Sequence, residues 1–206
     1  MKHGGRPEAL VFDFDGVLAD TEPLHWKSWA ALLLEHGVCL SWEDYCRFGR
    51  GVNDERMLEK LPQLASRPSI VAGLKEHFES RRQTVREWCS ERSPIAAPTV
   101  ELLKSLDGFR LGLVTGSNRD DVEPVLRAAG IHGCFDALVF TGEVGQHKPD
   151  PAPYILMRKT LGVETGIAFE DSDSGMLSAS AAGFSAVRVA DPSQLPEIVE
   201  RALAAV

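Results

Sequence analysis

The chain has 206 residues, 44% of them hydrophobic and 25% charged, with a formal net charge of −8. That size suits one sizeable domain, or one domain carrying a small insertion. Scattered Lys and Arg in an acidic chain argue against nucleic acid as a partner, and no apolar run approaches the roughly 20 residues needed to span a bilayer.

The polar, Gly-rich stretch from Met1 to Pro7 does not read as a signal-peptide core. A first strand is expected at Ala9 to Phe14, and the run carries Asp13 with Asp15 just beyond it. From Glu22 to Ser93 the pattern is helical throughout. Ile70, Leu74, Phe78, Arg81, Val85 and Trp88 recur there at spacings of three and four, one apolar stripe interrupted at Arg81. So long a segment without a strand is too large for a connecting loop. Residues 20–93 are therefore expected to form an inserted α-helical cap, and residues 1–19 with 94–206 an α/β core. Cys39, Cys46, Cys89 and Cys134 show no Cys-x-x-Cys spacing, so no zinc site or disulfide framework is indicated and a reduced cytoplasm fits.

Four more strands are expected at Leu111–Val114, Ala137–Phe140, Gly166–Phe169 and Ala186–Val189. Helices fall between them. Asn118 can cap one that carries Asp120 and Asp121 in its first turn and ends before Gly130. Pro151 opens another that stops near Gly162, a third runs from about Ser174 to Ala182, and a last from about Gln194 to Ala204. Strands alternating with helices imply a doubly wound parallel sheet, a Rossmann-like core.

Acidic, hydroxyl and basic residues fall at the ends of these strands. On an extended strand alternate side chains share a face, so Asp13 and Asp15 are expected to point together, with Phe12 and Phe14 opposite. Two such carboxylates repel each other unless a cation or a proton intervenes. Thr115-Gly116-Ser117-Asn118 follows the second strand and leads into a helix, where a hydroxyl, free N–H groups and the helix dipole make an anion site. Lys148, held before Pro149, follows the third strand, and the acids Glu170 and Asp171, suited to a hard cation, end the fourth. Singly, each has an ordinary explanation as an acidic turn, a helix cap or a solvated lysine. Together they line the edge where open parallel sheets bind ligands.

Asp13-x-Asp15-Gly-Val-Leu, Thr115, Lys148 and Glu170-Asp171, in that order, resemble the four motifs of the haloacid dehalogenase superfamily. Asp-Gly-Val-Leu-Ala-Asp-Thr-Glu-Pro-Leu-His further resembles its beta-phosphoglucomutase-like branch, whose helical cap follows the first motif. The resemblance covers essentially the whole chain. It implies a magnesium-dependent phosphatase that works through an aspartyl-phosphate, with Asp13 as nucleophile and Asp15 as acid and base. It places magnesium on the Asp13 carboxylate, the Asp15 backbone carbonyl and Asp171, with Glu170 just behind. Thr115 and Lys148 would hold the phosphoryl oxygens, with Gly116, Ser117 and Asn118 beside them. His25 matches a histidine near the hinge of the mutase branch.

Within that superfamily, dehalogenases lack the second aspartate, which is present here as Asp15. Phosphonate hydrolases use a cap lysine that the loop Phe48 to Asn53 does not contain. A beta-phosphoglucomutase-type mutase is the main alternative. Its Gly-Val-Ser-Arg cap motif falls on Gly51-Val52-Asn53-Asp54, so an aspartate stands where an arginine would grip a second phosphate, although Arg50 or Arg56 could substitute. A phospho-accepting receiver domain would carry its aspartate on a later strand and no cap. A non-catalytic binding protein is disfavoured because every motif position holds a competent residue. The expected partner is a small phosphorylated metabolite, a sugar phosphate above others, with Arg50 between two glycines on the substrate loop. The chain is expected to act as a cytoplasmic monomer.

Overall fold

A computed structural model describes residues 6–50, 52 and 54–205. By contact, the chain divides into two compact units: residues 1–20 with 93–206, and residues 21–92.

In the first unit, five parallel strands form one sheet: β1 (Ala9–Phe12), β2 (Arg110–Val114), β3 (Ala137–Val139), β4 (Gly166–Glu170) and β5 (Ser185–Arg188). Their spatial order is β3-β2-β1-β4-β5, so the chain reverses direction across the sheet between β1 and β4. Leu10 stands level with Leu111 on one side and with Ile167 on the other. Every residue of β1 and β4 is buried, which is why both read as continuous apolar runs: helices cover the two faces of a parallel sheet. Of those helices, α6 (Ala97–Ser105) packs with α10 (Leu195–Ala204), α8 (Ala152–Leu161) lies on β2 and β3, and α9 (Asp173–Ala181) on β4 and β5. The fifth, α7 (Arg119–Ala128), follows β2.

The first strand is shorter than the apolar run suggests. It stops at Phe12, and the carbonyl of Phe14 accepts from the N–H groups of Val17, Leu18 and Ala19, at 3.4, 3.0 and 3.0 Å. Gly16, at φ 72°, takes the left-handed conformation this turn needs. Asp13 and Asp15 therefore straddle the start of a turn and do not alternate along a strand.

The second unit holds α1 (Glu22–Glu35), α2 (Trp42–Phe48), α3 (Asp54–Lys60), α4 (Pro68–Lys75) and α5 (Phe78–Glu91). Trp29, Leu33, Leu58, Leu61 and Leu74 form its core. The apolar stripe seen in the sequence runs over two helices, which part at Glu76 and His77, where the N–H groups reach back only three residues. Arg81 is no exposed interruption: it is buried, on one line with Val85 and Cys89. Its Nη2 donates to both carboxylate oxygens of Asp54, at 2.9 and 2.8 Å, and its Nη1 donates to Ser28 Oγ at 3.0 Å. The guanidinium also lies over the Trp29 ring, while Trp29 Nε1 donates to Asp54 Oδ1 at 3.1 Å. Asp54 thus does not carry the free negative charge that the sequence suggests. Of the four residues that align with the mutase cap motif, Gly51 and Asn53 lie outside the described residues.

Removing one partner of a buried ion pair leaves the other charge uncompensated. The Arg81 side chain is 5% exposed but that of Asp54 is 22% exposed, so water offsets part of the loss. Arg81→Met should therefore cost about 2–3 kcal/mol of stability in urea unfolding. Pairing it with Asp54→Leu should recover most of that, because no charge then stays buried.

Candidate active site

Asp13 follows β1 directly, and its N–H still joins the sheet, donating to the Phe169 carbonyl at 3.0 Å. That bond sets its carboxylate at the carboxyl edge of the sheet, beside the end of β4. Glu170 is the last residue of β4 and is fully buried, with Asp171 immediately after it. Carboxylate oxygens of Asp13, Glu170 and Asp171 all lie within 4.8 Å of one another. Two glycines make room for them. A Cβ on Gly16 would stand 2.4 Å from Asp171 Oδ2, and a Cβ on Gly175 would stand 1.9 Å from Glu170 Oε2.

Lys148, in the loop between β3 and α8, enters this cluster from the side of β2. Its Nζ lies 3.0 Å from Asp13 Oδ1 and 2.5 Å from Glu170 Oε1, and it donates to the Val114 carbonyl at 2.9 Å. Tyr154, buried on α8, donates its phenol proton to the same Glu170 Oε1 at 2.6 Å. Among the described residues, Glu170 Oε2 has no hydrogen-bond partner.

Burial pushes the Asp13 carboxyl well above its usual range, and the Glu170 charge adds to the rise, with Lys148 opposing it. Burial pulls the Lys148 ammonium down, but Asp13 and Glu170 outweigh that and hold it above the usual lysine value. A cluster of carboxylates, those of Asp13 and Glu170 buried and that of Asp171 half-buried, with one oxygen unsatisfied among the described residues, is the donor chemistry that a hard divalent cation takes. The acids present therefore fit a divalent metal.

The loop after β2 supplies the hydroxyls. Thr115 is buried, its N–H bonded to the Val139 carbonyl and its Oγ1 accepting the Ser117 N–H, both at 3.0 Å. Ser117 Oγ donates to Asp15 Oδ2 at 2.5 Å, which ties the turn after β1 to the loop after β2. Gly116 and Asn118 are exposed at the start of α7. Asn118 takes the N-cap position of α7 through its backbone alone; its side chain bonds Asp121 instead, at 3.0 Å.

The structure thus brings Asp13, Lys148, Glu170 and Asp171 together and joins Asp15 to Ser117. His25 and Arg50 belong to the other unit. His25 Nδ1 lies 3.3 Å from Arg81 Nη1. A guanidinium offers only donors, so this contact is a hydrogen bond in the tautomer whose Nδ1 accepts. Arg50 is exposed just past α2, its N–H bonded to the Tyr45 carbonyl at 3.0 Å. Sequence reasoning missed Tyr154, Gly175 and the role of Arg81. Tyr154 left one signal, a polar tip on a buried helix face that Pro153, Met157 and Leu161 otherwise line.

Over residues 10–189 the sequence matches the haloacid dehalogenase-like hydrolases. The chain belongs to that family. Among its relatives in the family, the fructose-1-phosphate phosphatase YqaB of Escherichia coli is 33% identical over 89% of this chain and 97% of its own length. A phosphorylated carbohydrates phosphatase of Thermotoga maritima is 31% identical over 85% of this chain and 82% of its own. In fold, the chain is similar to the crystal structure of beta-phosphoglucomutase from Clostridium difficile, with a TM-score of 0.73 at 20% identity, covering 97% of this chain and 98% of that one. The family fold is an α/β core with an inserted helical cap, as the strand and helix pattern implies.

Asp13 yields a prediction for the metal-free protein. Because its folded pKa is raised, its contribution to stability is fully present below the unfolded value of 3.8 and is lost as pH rises through the folded value. Asp13→Asn escapes that loss. Its melting temperature should equal or exceed the parent's at pH 8 in chelator, and the gap should close as pH falls toward 4.

Proposed function

We propose that the chain is a magnesium-dependent phosphatase that hydrolyses a small phosphorylated sugar through an aspartyl-phosphate on Asp13. One observation carries the reading: a buried carboxylate, Asp13, stands 3.0 Å from the Lys148 ammonium and within the same cluster as Glu170 and Asp171. The substrate class rests on the relatives, whose names speak of fructose 1-phosphate and of phosphorylated carbohydrates.

The carboxylates of Asp13 and Asp171 and the Asp15 backbone carbonyl would hold magnesium, with Glu170 behind them. When bound, the ion offsets the mutual repulsion of these acids and the charge of the phosphoryl oxygens. An Asp13 oxygen attacks phosphorus in line. The bond from phosphorus to the sugar oxygen breaks, and Asp15 gives its proton to that oxygen as it leaves. Asp15, now ionised, takes a proton from water as the water oxygen attacks the same phosphorus. The bond from phosphorus to Asp13 breaks, which releases free phosphate and restores the nucleophile. Lys148 and the Thr115 hydroxyl hold the phosphoryl oxygens while charge shifts between them. Gly116 and Asn118 flank that anion site, and the Ser117 hydroxyl keeps Asp15 in place. In the helical unit, Arg50 would bind a hydroxyl or anionic group of the substrate, with His25 as a second substrate-binding residue.

Asp13→Asn should abolish hydrolysis of fructose 1-phosphate and of para-nitrophenyl phosphate, since an amide cannot displace the sugar. Undiminished turnover would refute the mechanism. Chelation should stop the parent enzyme, and Asp171→Ala should raise the magnesium concentration needed for half-maximal rate by about tenfold or more.

A phosphomutase is told apart by its product. With glucose 1-phosphate and a catalytic amount of glucose 1,6-bisphosphate, phosphorus NMR should show inorganic phosphate from any sugar phosphate consumed. A growing glucose 6-phosphate signal without inorganic phosphate would decide for the mutase.

A further inference from the structure

An ammonium has three protons, and Lys148 has three acceptors: the Val114 carbonyl at 2.9 Å, Glu170 Oε1 at 2.5 Å and Asp13 Oδ1 at 3.0 Å. None is left for a phosphoryl oxygen. Lys148 must therefore turn one of these protons away when a phosphate arrives. Glu170 is the costly partner to abandon. It is fully buried, and its Oε2 has no donor among the described residues, so of those residues' donors a carboxylate deserted by Lys148 would keep only Tyr154.

We propose that Tyr154 is a positioning residue, which keeps Glu170 hydrogen-bonded while Lys148 turns a proton from Glu170 to the phosphoryl group. This rests on the roles given above to Asp13 and Lys148. The phenol oxygen is 2.6 Å from the very oxygen that Lys148 shares, so one acceptor atom carries both donors and can lose one. Tyr154 is anchored for this. It is fully buried on α8, its ring meets Phe184 edge-on at 5.6 Å, and Lys148 Nζ stands 5.5 Å from the ring centre. Burial, with the charges of Glu170 and Asp13, pushes the phenol well above its usual range, so the group remains a donor. No covalent change occurs at Tyr154; one hydrogen bond is exchanged for another at Lys148.

Tyr154→Phe removes the reserve donor and keeps the ring. In the presence of magnesium, turnover of fructose 1-phosphate should fall about tenfold or more, and calorimetry should show inorganic phosphate binding weakened by a similar factor. A role in packing alone would lower the melting temperature and leave both quantities unchanged, and that result would overturn the proposal. Glu170→Gln supplies the second comparison. With no carboxylate to satisfy, adding Tyr154→Phe to it should change turnover less than about twofold. A further tenfold loss in that background would also overturn the proposal. Should Tyr154→Phe fail to fold alone, the pair with Glu170→Gln removes the deserted charge, and the same comparison applies. A parent that hydrolyses no phosphate ester would sink the functional reading on which the inference rests. An active parent with an unaltered Tyr154→Phe variant would sink the inference alone.

Discussion

Lys148 keeps only 11% of its side chain exposed, and burial on that scale drives an ammonium to give up its proton. Asp13 and Glu170 prevent it, and Lys148 in turn keeps two buried carboxylates from repelling each other unopposed. Neither sign is tolerable there without the other. The fold must therefore deliver three distant stretches of sequence to one point. It does so through strand order. Asp13 leaves β1 and Glu170 ends β4, and these strands are neighbours only because the chain reverses across the sheet between them. Lys148 arrives over the end of β2, where the Val114 carbonyl receives its third proton. Gly16 and Gly175 follow from the same demand, since a methyl group at either would occupy the space of a carboxylate oxygen.

The helical unit solves the converse problem. A buried guanidinium, Arg81, is met through its two terminal nitrogens by a carboxylate, a serine hydroxyl and an imidazole nitrogen, with an indole ring beneath it, while its Nε has no hydrogen-bond partner among the described residues. Because Arg81 can only donate, its contact with His25 favours the tautomer whose Nδ1 accepts.

The sheet was legible in the sequence because burial on both faces leaves its inner strands apolar except for Arg110 and Glu170 at their ends, and the motifs were legible because they sit where those runs stop. The geometry at Asp13 and Asp15 was not. Period-two alternation holds only inside a strand, and the Phe14 carbonyl, with three N–H groups turned toward it, ends β1 early. Arg81 was misjudged because a hydrophobic count treats any arginine as solvated, whereas this one has its partner 27 positions away. Tyr154 showed its polar tip but not its role, for nothing in a single sequence shows that a helix residue and Lys148 share an acceptor atom on Glu170.

Asp54 bears on hydrolysis against phosphoryl transfer differently once its partner is known. Read from sequence, it would repel a second phosphate by its charge. In the fold that charge is matched by Arg81, so its repulsion is largely spent within the unit. What separates this chain from a mutase at that position is then a missing cation rather than an opposing anion. Asp54 also occupies the cation beside it, since both of its oxygens accept from the Arg81 guanidinium. Asp54→Arg would not simply restore a phosphate grip. It would set two guanidinium groups against each other beside Trp29, and the first consequence should be strain in the helical unit.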